Sequence, residues 1–86
     1  MTSQIKRAVV SVSSNIAEGF ARQSNKEKIN FYFIALGSLT EIQSQLLLAQ
    51  GLLFITHEQC SALIDEATVV GKMLNSLISK IKSNNI

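Results

Sequence analysis

The 86-residue chain has no proline and no tryptophan, one cysteine, one histidine, one tyrosine and four glycines. Each shortage removes a class of protein. With no proline and little glycine, the sequence suits neither the many tight turns of a β-sandwich nor a disordered linker. A single cysteine excludes a disulfide framework and any zinc site that draws two or more cysteines from one chain. A single histidine excludes a site that needs a pair. Charge is scarce too: 16% of residues are charged, against roughly 25% in an average soluble domain. The longest apolar run, Leu46–Ile55, is interrupted by Gln50 and Gly51 and falls short of the roughly 20 residues that span a bilayer. The opening residues are polar and basic, unlike a signal peptide. A cytoplasmic protein with no membrane association is the expectation.

What the chain does have is apolar side chain, at 47% of residues. Its length allows one domain, residues 1–86, and a domain this small buries only roughly 60–65% of its unfolded surface. A lone subunit cannot hide so much apolar surface, so a partner is expected, most simply a second copy. The net charge of +2 is unevenly spread. Residues 1–30 carry +3, residues 31–71 carry −4 with no basic residue, and residues 72–86 carry +3. The basic charge therefore lies in two blocks at the chain's ends.

Periodicity and caps predict three helices. In the first, over about residues 2–22, Ile5, Val9, Val12, Ile16 and Phe20 recur at steps of three or four, with Thr2 or Ser3 as N-cap. The β-branched residues and serines between Val9 and Ser14 weaken helix propensity, but the stripe as a whole cannot share one strand face. Ser24 and Glu27 have capping-box spacing ahead of a second helix over about residues 25–53. That helix has two apolar stripes. One is Ile29, Tyr32/Phe33, Leu36, Leu39 and Leu46; the other is Phe31, Ala35, Ile42, Ala49 and Leu52. A helix apolar on both sides is buried on both, and the second stripe is assigned to a neighbouring subunit. Gly51 begins a break, and Thr56 with Gln59 repeats the capping box before a third helix over about residues 57–82. There Cys60, Leu63, Ala67, Val70, Leu74, Leu77 and Ile81 form an unbroken heptad seam. Residues 83–86 read as a fraying tail. Short connections make neighbouring helices antiparallel, giving an all-α, up-down bundle.

Little in this pattern does chemistry. His57 and Cys60 share the first turn of a helix, but Cys60 opens the apolar seam, where a free thiol packs as a small hydrophobe. Asp65 and Glu66 are adjacent, so on a helix they diverge by about 100° and cannot flank a substrate. No phosphate-binding glycine loop, metalloprotease helix or calcium loop is present. The reading is no enzyme, no cofactor and no metal. The functional candidates are basic residues. Arg22, Lys26 and Lys28 flank one inter-helix turn, and with Arg7 they are the residues assigned to phosphate contacts. Three cations bind weakly alone, whereas a ring of copies multiplies them.

Two strings carry a family resemblance. Ser14–Gly19 reads S-N-I-A-E-G, and Ile34–Glu41 reads I-A-L-G-S-L-T-E. In this order they resemble the four-helix-bundle family of 23S rRNA-intervening-sequence proteins, and the likeness runs over essentially the whole chain. The accessory protein of diversity-generating retroelements is similar in fold. The resemblance implies an antiparallel bundle that assembles into a ring, typically a pentamer. For the retroelement relatives it implies nucleic-acid binding and association with a reverse transcriptase. It also implies a long helix ahead of the Thr2–Arg22 segment, so that this chain has three helices of a four-helix pattern. Where the family pattern has a small residue or proline, this sequence has Ser13. Carried over by position, Asn15, Glu18 and Gly19 are structural, the first two as hydrogen-bonding groups toward another helix or subunit and Gly19 as a point of close approach. Gly37 and Ser38 are likewise assigned to tight packing. Asn15, Glu18, Gly19, Phe31, Ala35, Gly37 and Ile42 are thus the structural and oligomer-interface set. The expected function is a non-enzymatic, self-assembling bundle that contacts RNA or DNA through a basic rim. The alternatives are a module docking on a polymerase or ribosomal component, or a fragment of a longer family member.

Overall fold

A computed structural model describes residues 2–84, with side chains from 3 to 83. It contains three α-helices: α1 (Thr2–Ala21), α2 (Asn25–Gly51) and α3 (His57–Asn84). The start of α1 already includes Thr2 and Ser3, so neither is its cap, and the cap position lies outside the described residues. Helix α3 runs through residues 83 and 84, where a fraying tail was expected; residues 85 and 86 lie outside the described range.

The helix ends form for the local reasons the sequence gives. Ser24 is extended and its Oγ accepts from the Glu27 N–H at 3.3 Å, satisfying one free donor of α2. At α3 the capping box is reciprocal: the Gln59 N–H donates to Thr56 Oγ1 at 3.0 Å, and the Thr56 N–H donates to Gln59 Oε1 at 2.9 Å. Helix α1 has no basic residue in its own last turn. Lys28 supplies the charge from α2, its Nζ donating to the carbonyls of Gly19 and Phe20, each at 3.1 Å. A cation on those unsatisfied carbonyls is favoured by the helix dipole.

The end of α2 departs from the expected break at Gly51. Gly51 is the last helical residue, and an added Cβ there would meet nothing within 4 Å. The chain reverses two residues later. Phe54 N–H reaches back to the Ala49 carbonyl at 2.9 Å and Leu53 N–H to the Gln50 carbonyl at 3.0 Å, the paired bonds of a Schellman turn. That turn needs a left-handed residue, usually glycine. Here the position is Leu53, with φ 64°, a conformation costing an L-residue about 1–2 kcal/mol.

Helix α2 is central. Helices α1 and α3 each pack on it, and among the described residues no Cα of α1 lies within 8 Å of one of α3. The molecule is an open layer spanning 48 × 21 × 13 Å, little thicker than one helix with its side chains. Its radius of gyration is 14.4 Å, where a compact chain of this length has about 12 Å. It exposes 5813 Å² at a mass of 9.4 kDa. A closed monomer of that mass exposes about 5,000 Å².

This arrangement explains which apolar residues are covered. The core is Val12, Tyr32, Ala35, Leu39, Ala67, Leu74 and Ile78. Most of the second α2 stripe is covered inside the subunit, which corrects its assignment as a whole to a neighbour, while Leu52 is exposed and Ile42 lines an open groove. Ala35 is fully buried, Ile42 packs on the core, and Phe31 lies under the Arg22 guanidinium at 4.9 Å. Helix α1 meets α2 through small residues. Ala8, Val12 and Gly19 are buried, and Ser11 Oγ hydrogen-bonds Ser38 Oγ at 2.7 Å. The expected stripe of larger side chains is therefore turned partly away, leaving Val9 and Phe20 exposed. The α3 seam divides in the same way. Cys60, Ala67 and Leu74 are buried together with Ile78, while Leu63 is exposed. With one neighbour instead of two, α3 buries only the arc that faces α2.

Candidate functional site: a basic end and an open apolar groove

The up-down-up order puts the α1–α2 turn and the C-terminal end of α3 at one end of the layer. The ring of Phe33, near the start of α2, lies 5.6 Å from Lys82 Nζ near the end of α3. The two basic blocks of the sequence are brought together here. Lys82 was missed as a site residue, although the helix order and the C-terminal charge block together were enough to find it.

The four predicted phosphate contacts do not form one cluster. Arg22, Lys26 and Lys28 stand together, but Arg7 lies on α1 fifteen residues before Arg22, about 22 Å along the axis. Their freedom also differs. Arg22 donates to Glu18 at 2.9 Å, lies 4.0 Å from Glu27 and covers Phe31. Lys28 is committed to the end of α1. Lys26 is exposed, and with Glu27, Ile29, Asn30 and Phe33 it lines a surface depression of about 400 Å³. Lys26 and Lys82 are exposed at this end around a half-exposed phenylalanine, and Lys80 is exposed two residues earlier on α3.

The remaining predicted positions serve the fold. Asn15 Nδ2 donates to Ser11 within α1, to its carbonyl at 2.7 Å and its Oγ at 3.1 Å, and so supports the Ser11–Ser38 bond to α2. Glu18 pairs with Arg22, just past the end of its own helix. Gly19 is the close approach that was expected: a Cβ there would overlap Tyr32 Cε1 and stand 2.9 Å from Cδ1. Tyr32 is 1% exposed, and its burial raises its pKa above the ordinary 10.0. Ser38 is at the α1–α2 contact, but Gly37 is exposed with open space around it, so tight packing within the subunit is not its role. Cys60 is buried, its thiol 3.5 Å from the Leu46 carbonyl, while His57 Nδ1 lies 3.2 Å from Gln50 Nε2. They do not act on each other.

An apolar groove runs over one face of α2 between α1 and α3. Its middle, about 320 Å³, is lined by Ile5, Val9 and Val12 of α1, Leu39, Ile42 and Leu46 of α2, and Leu63, Ala67 and Val70 of α3. Towards the basic end a second hollow of about 530 Å³ has Phe20, Val69, Met73 and Leu77 as its apolar lining, with Lys72, Ser76 and Lys80. No group of three or more metal-ligating side chains occurs among the described residues, and no helix there is long and apolar enough to cross a membrane.

The fold and these surfaces define a small all-α protein of the open helical-bundle class, whose distinctive features are an uncovered groove and a basic end. The chain belongs to the 23S rRNA-intervening sequence protein family, whose family model matches residues 1–76. Among solved structures it is similar to a protein of unknown function from the S23 ribosomal protein family of Bacteroides thetaiotaomicron. The two are 35% identical with a TM-score of 0.87, over 91% of this chain and 72% of the other. No curated protein matches. The described residues form the three helices expected of this chain.

Proposed function

We propose that this protein is a non-enzymatic helical scaffold that assembles with copies of itself and contacts the phosphates of RNA or DNA through its basic end. The observation that carries the reading is the open layer. Its exposed surface exceeds that of a closed monomer by about 800 Å², the share one partner contributes to a standard interface. The apolar groove contributes to that excess. A ring, with five copies as the family resemblance implies, would repeat Lys26 and Lys82 around one rim. Phosphate contacts from several subunits then add through counterion release.

The test is binding of the assembled protein to single-stranded RNA across a salt series. The logarithm of affinity falls linearly with the logarithm of salt, by about 0.7 per phosphate neutralised. The double change Lys26→Glu, Lys82→Glu abolishes binding while leaving the assembly intact. Absence of binding at low salt refutes the nucleic-acid part of the proposal. A second reading is favoured by the groove itself: a docking module for a reverse transcriptase or a ribosomal protein. In that case the charge reversals leave capture of the partner unchanged.

A further inference from the structure

Two features at opposite ends of the molecule are unexplained by the fold. At the α2–α3 turn, Leu53 holds a left-handed conformation that a glycine would adopt without strain, and it is 89% exposed; Phe54 beside it is 69% exposed. Within the subunit neither side chain is covered, so no packing there accounts for a strained leucine. At the other end, the hollow between Phe20 and α3 has an apolar floor that includes Met73 and Leu77, flanked by Lys72 and Lys80. It is an open hollow of about 530 Å³, ample for a leucine–phenylalanine pair.

We infer that the Leu53–Phe54 knob of one copy seats in the Phe20–Met73 hollow of the next, joining subunits head to tail. The inference rests on the self-assembly reading above and names its contact. Charge selects this pairing over its alternatives. Glu58, exposed in the first turn of α3, stands just beyond the knob, and residues 31–71 carry no basic residue. The hollow is flanked by lysines and lined by no acidic residue. Knob to hollow therefore sets acid against base, while hollow to hollow sets lysines against lysines. A contact between two different patches is heterologous, and it closes into a ring when the rotation between copies permits.

The test is sedimentation of the full chain at micromolar concentration, alone and in mixtures. The wild type sediments as an oligomer. The knobless double variant Leu53→Gly, Phe54→Ser sediments as a monomer. It replaces exposed side chains and relieves the left-handed strain, so its helical circular dichroism is retained, while its melting midpoint no longer rises with concentration. The blocked variant Met73→Glu, altered at an exposed position, is also monomeric. Mixed one to one, the two variants form a heterodimer, because one keeps a hollow and the other a knob. A wild-type monomer overturns both self-assembly and this contact. An oligomer unchanged in the knobless variant, or a mixture that stays monomeric, overturns the contact alone and leaves the groove to a different occupant.

Discussion

Two glycines of identical helix propensity are predicted to respond in opposite directions to alanine. Gly19 lies where α1 meets α2, and its missing Cβ is replaced in space by the Tyr32 ring, with Cδ1 at 2.9 Å and Cζ at 3.0 Å from the built position. The ring cannot move aside cheaply: Tyr32 is 1% exposed and meets Phe20 edge-on at 5.9 Å between ring centres. Overpacking of this kind costs about 1–3 kcal/mol, and removing a helix glycine returns about 1 kcal/mol. Because the obstacle is a buried ring and not the tip of a flexible chain, Gly19→Ala lowers stability by about 1–2 kcal/mol net. Gly37 sits in mid-helix with nothing within 4 Å, so Gly37→Ala raises stability by about 0.5–1 kcal/mol. A gap of about 2 kcal/mol corresponds to about 8–16 °C between the two melting midpoints for a chain this short. Thermal melts by circular dichroism at one fixed protein concentration measure it, since assembly makes the midpoint concentration-dependent. Equal stabilisation by both substitutions would refute the close approach of α1 to Tyr32.

Three further outcomes follow from the same structure. Tyr32 is the only tyrosine, with no tryptophan to obscure it, so phenolate absorbance reports it alone. Its midpoint lies above 10.0 in the native protein because burial disfavours the phenolate, and returns to about the ordinary value in denaturant. The folded pKa is the higher one, so this group's contribution is complete below the unfolded pKa and is lost as pH rises through the folded value. Thr56→Ala removes one half of the α3 capping box and lowers stability by about 1 kcal/mol in a urea melt. Lys28→Gln takes the cation from the α1 carbonyls and costs about 0.3–1 kcal/mol, whereas Lys26→Gln, on an exposed side chain, leaves the urea midpoint unchanged.

Much of this fold was legible in the sequence because its signals are local. Ser24 and Thr56, with Glu27 and Gln59 three residues on, located the starts of α2 and α3 through bonds made within one turn. The S-N-I-A-E-G string located Gly19, and the helical period located Leu39, Ala67 and Leu74 in the core. What stayed hidden depends on which helices touch. A stripe such as Val9 and Phe20 looks the same whether it faces a neighbour or an empty groove, and only the separation of α1 from α3 among the described residues decides. The second stripe of α2 was assigned to another subunit for the same reason, since periodicity shows that Ala35 is covered and not by what. At the candidate site, sequence proximity grouped Arg22, Lys26 and Lys28, but it did not show that Lys28 caps α1 or that Lys82 arrives from the far end of the chain. Leu53 was missed because the turn signal was read at Gly51, where glycine is expected, while the left-handed residue is a leucine two positions later.

The open helical layer, with its uncovered groove, is proposed to be covered by copies of itself. Sedimentation velocity of the unmodified chain over a concentration series tests that proposal most directly. The expected result is a stoichiometric oligomer that persists at micromolar concentration and a melting midpoint that rises with concentration. A single subunit of 9.4 kDa at every concentration, melting at one fixed temperature, would contradict it.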